Sequence, residues 1–141
     1  MNSDVVARLG ELVDARRHPA LLGEVDGRLA GVLTYVVRGD ACEVLTLHAV
    51  EHWNGVGSAL IDVVRLLASD QGCARLWLVT TNDNVDALRF YQRRGFRLAR
   101  LHAGAVDRSR ATIKPTIPEI GAHGIRLRDE LELELDLGAL E

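Results

Sequence analysis

Two turn signals divide residues 20–50 into three apolar runs, and this pattern constrains the fold more than any other part of the sequence. Asp26-Gly27 separates the first two runs, and the tetrapeptide at 38–41, Arg-Gly-Asp-Ala, separates the second from the third. An Asp-Gly pair favours a type I′ hairpin turn, because both central residues of that turn need a positive φ. Residues 20–50 are therefore predicted to form a three-stranded antiparallel meander, with its third strand at Cys42 to Ala49.

After the meander the spacing of the apolar residues changes from that of a strand to that of a helix. A helix is predicted from Gly57 to about residue 71, where Gly72 ends it. Residues 74–80 form a nearly continuous apolar run, typical of a strand covered on both faces. Residues 84–95 predict a second helix, which begins at Asn84 and ends at Gly95, and residues 96–101 predict another short strand. The apolar face of the first helix consists of Val56, Ala59, Leu60, Val63, Val64 and Leu67.

The two ends of the chain complete the predicted fold. Residues 4–17 have helical apolar spacing that Pro19 closes, so a helix is expected there. Residues 103–128 look irregular, with one helical turn at about 107–113. Residues 130–137 alternate strictly, which predicts a strand whose water-facing side carries Glu130, Glu132, Glu134 and Asp136. The fold class is α/β, with a central mixed, mostly antiparallel twisted sheet flanked by helices in a single domain, residues 1–141.

Charge and hydropathy exclude several classes of protein. The formal net charge is −3, so no global field attracts nucleic acid. The longest apolar run, residues 29–37, is shorter than the roughly 20 residues that span a bilayer. The first residues lack the layout of a signal peptide. Cys42 and Cys73 have no zinc-site spacing and are interpreted as small core residues. We expect a cytoplasmic protein with no metal site, no nucleic-acid partner and no membrane partner.

The glycines in the sequence His-Trp-Asn-Gly-Val-Gly, residues 52–57, lie between a predicted strand and a predicted helix. A Walker loop would need Lys-Ser/Thr after the last glycine, and a dinucleotide fingerprint would need a small residue where Leu60 stands. The helical spacing that follows excludes a hairpin at Asn54-Gly55. Two interpretations remain open: a turn that binds a pyrophosphate at a helix N-terminus, and a simple joint between strand and helix.

A second motif follows about thirty residues later. Its members are Asn84, Ala87, Phe90, Tyr91, Gly95 and Phe96. Tyr91 lies seven residues after Asn84, on the same helical face. Together the two motifs resemble the GCN5-related N-acetyltransferase (GNAT) superfamily over residues 21–101. Two departures are His52, where the family usually has glutamine or arginine, and Trp53, where glycine is common. The family's first strand also has no counterpart in the predicted elements.

The resemblance implies where acetyl-CoA binds as a cosubstrate. The backbone of Leu47, His48 and Ala49 would pair with the pantetheine arm, and Asn84 would hydrogen-bond that arm. Tyr91 would protonate the departing CoA thiolate, which a neutral phenol can do. The N–H groups of Asn54, Gly55, Val56, Gly57 and Ser58 would hold the pyrophosphate. His52 would be a further cofactor contact.

Two residues compete for the role of general base. Glu43 occupies a strand position where some relatives carry a catalytic glutamate, and burial would raise the pKa of such a carboxyl toward a useful value. His48 is the rival, since imidazole titrates near neutral pH. In relatives that acetylate peptide N-termini, an acid can lie on the strand before the asparagine. Val79 stands at that place here, which argues against that subclass.

Residues 102–128 form a long connection with more basic than acidic side chains. In a fold of this type, the connection before the last strand borders the acceptor pocket. Lys114, Glu119 and His123 are therefore candidate acceptor contacts.

The predicted function is transfer of an acetyl group from acetyl-CoA to the amine of a small molecule or peptide, by direct attack in a ternary complex. One alternative is an acyl-CoA-binding regulatory protein without turnover, and another is a protein-lysine acetyltransferase. A homodimer is expected if the N-terminal edge of the sheet needs cover.

Overall fold

The structure, a computed structural model, describes residues 5–50 and 55–138. The strands are β1 (Val5–Arg8), β2 (Glu11–Asp14), β3 (Ala20–Val25), β4 (Arg28–Arg38), β5 (Ala41–Ala49), β6 (Arg75–Thr81), β7 (Arg97–His102) and β8 (Glu130–Asp136). The helices are α1 (Val56–Asp70), α2 (Val85–Arg93) and α3 (Ala105–Thr112), with short 3-10 turns at Ala15–Arg17 and Ala122–Gly124.

The described strands form two sheets. A six-stranded sheet has the order β3-β4-β5-β6-β8-β7, and β1 and β2 form a separate hairpin. With three α-helices in the described residues, this is a mixed α/β fold, as the sequence predicts. By internal contacts the chain divides into two compact units, residues 15–77 with 135–141 and residues 1–14 with 78–134.

The predicted meander lies in the first unit. The strands β3, β4 and β5 pair in antiparallel fashion. Asp26 and Gly27 have φ values of 51° and 76°, so the Asp-Gly turn has the predicted positive φ at both positions. The largest fully buried side chains of this unit are Leu33, Cys42, Ile61, Val64 and Leu76. Cys73 is buried as well, which confirms the interpretation of both cysteines as core residues.

The predicted helix over residues 4–17 is wrong, because residues 5–14 form the β1–β2 hairpin. Arg8 pairs with Glu11, and the two residues between them, Leu9 and Gly10, have φ values of 47° and 81°. Leu-Gly is a weak turn signal, since a non-glycine residue seldom adopts a positive φ. The valines that fit a helical spacing also suit a β-strand.

The connection between β7 and β8 is more regular than predicted. Instead of one turn at 107–113, residues 105–112 form the helix α3. The segment after α3 is held by Arg110, whose guanidinium donates to the carbonyl oxygens of Ile117, Pro118 and Leu127 at 3.0, 2.9 and 2.7 Å. These hydrogen bonds from one side chain to three carbonyl oxygens fix the backbone of the segment after α3.

The turn between β6 and α2 fixes the far end of the same connection. The Asn82 side chain accepts from the N–H groups of Arg128 and Asp129 at 3.0 and 2.9 Å. Asp83 is buried and accepts from the Ala122 N–H at 2.8 Å. Because two side chains of one short turn hold residues 122–129, the connection and the start of α2 form a single structural element.

The predicted water-facing side of β8 is only partly correct. Glu130 is 2% exposed, whereas Asp136 at the other end is exposed. Glu132 and Glu134 are half-buried, and Glu132 lies 3.2 Å from His102 Nε2 across the β7–β8 pair. Strict alternation gives the two faces of a strand, but it does not show where a helix or hairpin covers the polar face.

Candidate active site

A bulge in β5 precedes the residues predicted to pair with pantetheine. Thr34 pairs with Thr46 and Tyr35 with Val44, so Leu45 is an extra residue opposite the β4 strand. The hydroxyl oxygens of Thr34 and Thr46 lie 2.6 Å apart and join the strands at this point. A bulge bends its strand and redirects the backbone beyond it. The residues predicted to pair with pantetheine, Leu47 to Ala49, lie just beyond this bulge and stay paired with β4.

The N-terminus of α1 carries no acidic side chain in its first turn. Gly55 is the N-cap residue of α1, with a φ of 94°, and supplies no side-chain cap. By contrast, the first turns of α2 and α3 contain Asp86 and Asp107. Since the first N–H groups of a helix lack intrahelical partners and carry a partial positive charge, this end of α1 suits an anion.

Two paired glycines bring α1 close to the sheet. Gly23 of β3 is the partner of Gly31 of β4, which in turn pairs with Ala49 at the end of β5. A Cβ at Gly31 would lie 2.7 Å from Val56 Cγ1, and a Cβ at Gly23 would lie 2.9 Å from the same atom. Side chains at these positions would push the first turn of α1 away from the strands. His52 and Asn54, also predicted here, lie outside the described residues.

An open cavity of about 240 Å³ borders the same strand ends. Its walls come from the start of β4 and the end of β5, including His48. His48, Ala49 and Val50 are exposed. Two residues of the predicted pantetheine segment, His48 and Ala49, are thus accessible, and Leu47 is half-buried.

Asn84 caps α2, as its position in the motif predicts. Its Oδ1 accepts from the Ala87 N–H at 3.2 Å, and its Nδ2 donates to Thr80 Oγ1 at 3.2 Å. The side chain is exposed. An amide can accept two and donate two hydrogen bonds, so Asn84 keeps one of each for a ligand.

Tyr91 is buried in the second unit between two aromatic rings. Its ring centroid lies 5.1 Å from that of Phe90 and 5.4 Å from that of Phe96, both edge-on. Burial raises the pKa of the Tyr91 phenol above its usual value, and the nearby charge of Arg94 opposes this only in part. The hydroxyl is therefore protonated at neutral pH, as the predicted role of Tyr91 as a proton donor requires.

The two candidate bases have different surroundings. Glu43 is 2% exposed and pairs with Val36 near the turn that joins β4 to β5. His48 lies beyond the bulge and is exposed. Glu43 is thus buried, as the sequence analysis assumed, and its role as a base stays a prediction.

The three predicted acceptor contacts lie in different surroundings. Lys114 lines a cavity of about 200 Å³, and its Nζ donates to the Val5 carbonyl oxygen at 3.2 Å. Glu119 forms ion pairs with Arg110 and Arg126 at 3.9 and 3.5 Å. The Nε2 atom of His123 lies 3.1 Å from Asp86 Oδ2. All three thus contact other residues of the chain, and Lys114 also lines a cavity.

The sequence model of the Acetyltransferase (GNAT) family matches residues 4–96. The chain belongs to this acetyltransferase family. The match includes β5, the start of α1, Asn84 and Tyr91, which are the elements described above. Within residues 5–50 and 55–138, no group of three His, Cys, Asp or Glu side chains is placed to hold a metal ion.

The chain is also similar to two proteins of Bacillus subtilis. The chain is 41% identical over 105 residues to the uncharacterized protein YdhI of Bacillus subtilis, covering 74% of this chain and 65% of YdhI. It is 40% identical over 112 residues to YxbD of the same organism, covering 79% and 70%. The chain thus spans just under two thirds of the length of YdhI.

Two crystal structures have the same fold. A Bacillus subtilis acetyltransferase in complex with CoA superposes with a TM-score of 0.74 at 24% identity, covering 86% of this chain and 78% of that one. A GNAT family acetyltransferase from Elizabethkingia anophelis with acetyl-CoA bound has a TM-score of 0.70 at 22% identity, covering 83% and 74%.

Two features of this acetyltransferase-family site escape sequence reasoning. The bulge at Leu45 has no local signal, because neither glycine nor proline marks it. The Gly23–Gly31 pair is visible only once the strand register is known. A glycine inside a predicted strand does indicate a close backbone approach, and Gly31 could have been singled out on that basis.

Proposed function

We propose that this chain is an acetyl-CoA-dependent N-acetyltransferase. The observation that carries the proposal is the N-terminus of α1, the helix that follows the bulged strand β5. Gly55 precedes this helix, and its first turn has no acidic side chain. That arrangement lies within the part of the chain that matches the family. A phosphate group at a helix N-terminus is stabilised by unpaired N–H groups and the helix dipole.

The chain's own groups fit the cosubstrate at three places. The backbone from Gly55 to Ser58 would hold the pyrophosphate, with His52 and Asn54 proposed as the neighbouring contacts. The backbone of Leu47, His48 and Ala49, beyond the bulge in β5, would pair with the pantetheine arm. Asn84 would add a side-chain hydrogen bond to that arm. The seating of Val56 on Gly23 and Gly31 supports this, since it fixes the position of the first turn of α1.

In the proposed reaction, the acceptor ammonium first loses a proton and its nitrogen then attacks the thioester carbonyl. A C–N bond forms and the C–S bond breaks. Tyr91 gives its phenolic proton to the sulfur that leaves, and the second proton lost by the nitrogen returns to Tyr91 through water. The products are an N-acetyl amide and CoA thiol, with one proton released from the ammonium. General acid catalysis of this kind contributes roughly 10²–10⁴ in rate.

Glu43 is our proposed base for the acceptor ammonium, with His48 as its alternative. The burial of Glu43 supports the first assignment, and the exposure of His48 near the bulge supports the second. Replacing each by glutamine separates them. Only loss of the true base removes the rise of kcat that accompanies deprotonation of that base as pH increases. If both variants keep the wild-type profile, the proton goes directly to solvent.

The acceptor is proposed to be a small-molecule or peptide amine. Lys114 supports a small molecule, because the cavity that it lines has a volume of about 200 Å³. A protein-lysine acceptor would need an open groove. A protein that binds acyl-CoA without turnover would keep the α1 site and would show no CoA release with any amine.

Calorimetric titration of acetyl-CoA into three proteins tests the proposal. Wild type is expected to bind in the micromolar range, and Gly57→Glu is expected to lose binding, because it places a carboxylate at the anion site. Leu66→Glu is the matched control, since it adds the same charge to an exposed position further along α1. Absence of binding by folded wild type, or equal binding by Gly57→Glu, would refute the cosubstrate site. Release of CoA thiol in an amine panel then tests turnover.

A further inference from the structure

The cavity lined by Lys114 has an enclosed acidic group that neither the motifs nor the family assignment points to. Glu130, at the start of β8, lines this cavity and is 2% exposed. One of its oxygens accepts from the Leu9 N–H at 3.0 Å. An ionised carboxylate has about four acceptor sites, so this single hydrogen bond leaves capacity for a ligand.

Lys114 supplies a positive charge to the same cavity. Its ammonium donates one of its three hydrogen bonds to the Val5 carbonyl oxygen. Lys114 is also the only lysine of the 141 residues, where every other basic chain is arginine or histidine. A compact ammonium can meet a ligand carboxylate as a point charge.

The remaining walls of the cavity are mostly apolar. They come from the β1 strand, α3 and the segment that Arg110 holds in place. The apolar residues are Val6, Ala7, Val106, Ile117 and Leu127. With a volume of about 200 Å³, the cavity is somewhat larger than one of about 150 Å³ that holds benzene in another protein.

We propose that this cavity is the acceptor site and that it takes an α-amino acid with a compact apolar side chain. Glu130 receives the ammonium group, Lys114 receives the carboxylate, and the apolar walls receive the side chain. The inference rests on the proposed acetyltransferase function and names its acceptor class. A diamine or polyamine is disfavoured because Lys114 would repel its second charge.

The protonation of Glu130 agrees with this assignment. Burial raises the pKa of its carboxyl, while the Leu9 N–H and the charges of His102, Arg8 and Arg108 act in the opposite direction. A buried acid whose ionised form is disfavoured gains from a ligand ammonium that stabilises its charge.

Lysine-labelled protein gives a direct binding assay, because Lys114 contributes the only side-chain ammonium signal. Leucine and methionine are titrated in the presence of saturating CoA, and the Lys114 Nζ and Cε resonances are followed by NMR. Saturable shifts are expected with both amino acids. Leucinamide, isoamylamine and 2-hydroxy-4-methylpentanoate, which lack the carboxylate or the ammonium, should bind at least tenfold more weakly.

Two variants complete the test. Glu130→Gln keeps the acceptor oxygen for Leu9 and should weaken leucine binding at least tenfold, with the Kd of CoA unchanged. Glu24→Gln, an exposed carboxyl on β3, is the control and should bind leucine like wild type. Equal leucine binding by Glu130→Gln, or a Lys114 signal that no amino acid moves, would overturn the inference.

The outcomes separate this inference from the proposed function. An unmoved Lys114 signal in a protein that binds acetyl-CoA and acetylates some other amine overturns the acceptor assignment alone. Failure to bind acetyl-CoA refutes the proposed function and is seen in the calorimetry, irrespective of the Lys114 signal.

Discussion

Val56 lies directly over Gly31, so close that a Cβ on Gly31 would stand 2.7 Å from Val56 Cγ1. Gly31 is also the partner of Ala49, where β5 ends. The same glycine therefore contacts the first turn of α1 and the strand end that are both proposed to hold acetyl-CoA. Its missing side chain sets the height of the helix N-terminus above the strands.

Gly31→Ala is expected to weaken acetyl-CoA binding and to destabilise the fold. The added methyl would also meet Leu60 Cδ1 at 3.0 Å and the His48 carbonyl oxygen at 3.1 Å. Overpacking of this kind costs about 1–3 kcal/mol. Urea denaturation measures the loss of stability, and calorimetry measures the Kd of acetyl-CoA. The double variant Gly31→Ala/Val56→Ala should recover much of both, and no recovery would contradict the packing explanation.

Tyr91→Phe is expected to lower kcat by about 10²–10⁴ while the Kd of acetyl-CoA stays within about threefold. The ring would keep its edge-on contacts with Phe90 and Phe96, so stability should change little. Tyr35→Phe, which removes the hydroxyl of the other buried tyrosine, is the control for nonspecific effects. Wild-type turnover by Tyr91→Phe would exclude the phenol as the proton donor.

Asn84→Asp is expected to separate the capping role of this residue from its proposed role in cosubstrate binding. The carboxylate still accepts from the Ala87 N–H, but it cannot donate to a ligand. Stability should therefore remain near wild type while the Kd of acetyl-CoA rises. Asn84→Ala should lose about 1 kcal/mol of stability through the missing cap. If Asn84→Asp binds acetyl-CoA normally, Asn84 acts as a cap alone.

Local chemistry explains which parts of the fold and site could be predicted. The Asp26-Gly27 turn and the Asn84 cap were predicted because one residue type satisfies one backbone requirement at each place. The β1–β2 hairpin was missed because its turn places Leu9 at a φ of 47°. Leucine seldom adopts a positive φ, so the sequence does not indicate a turn there. The burial of Glu130 was missed because Leu9, whose N–H donates to it, lies 121 residues away in sequence.

Arg110→Met is expected to loosen the connection between α3 and β8. The variant removes three hydrogen bonds to carbonyl oxygens from a side chain that is 14% exposed. Hydrogen bonds from a charged group contribute about 1.5–3 kcal/mol each when isolated, so a loss of about 3 kcal/mol is expected for the set. Hydrogen exchange should show faster exchange at the Ile117 and Leu127 amides. Arg126→Met, at an exposed position, is the control and should leave these rates unchanged.

Glu130 should make the free energy of unfolding depend on pH. Because burial raises the pKa of its carboxyl above the usual 4.5, the folded state binds more protons than the unfolded state above that pH. The contribution of Glu130 to stability is thus largest below pH 4.5 and falls as pH rises from 4.5 through the folded-state pKa. The charged groups around Glu130 are Arg8, His102, Arg108 and Lys114. Glu130→Gln keeps the acceptor for Leu9 and cannot ionise, so wild type should lose stability relative to this variant as pH rises through that window. Urea denaturation of both proteins at a series of pH values measures this difference. A constant difference across the series would show that the pKa of Glu130 is not raised in the folded state.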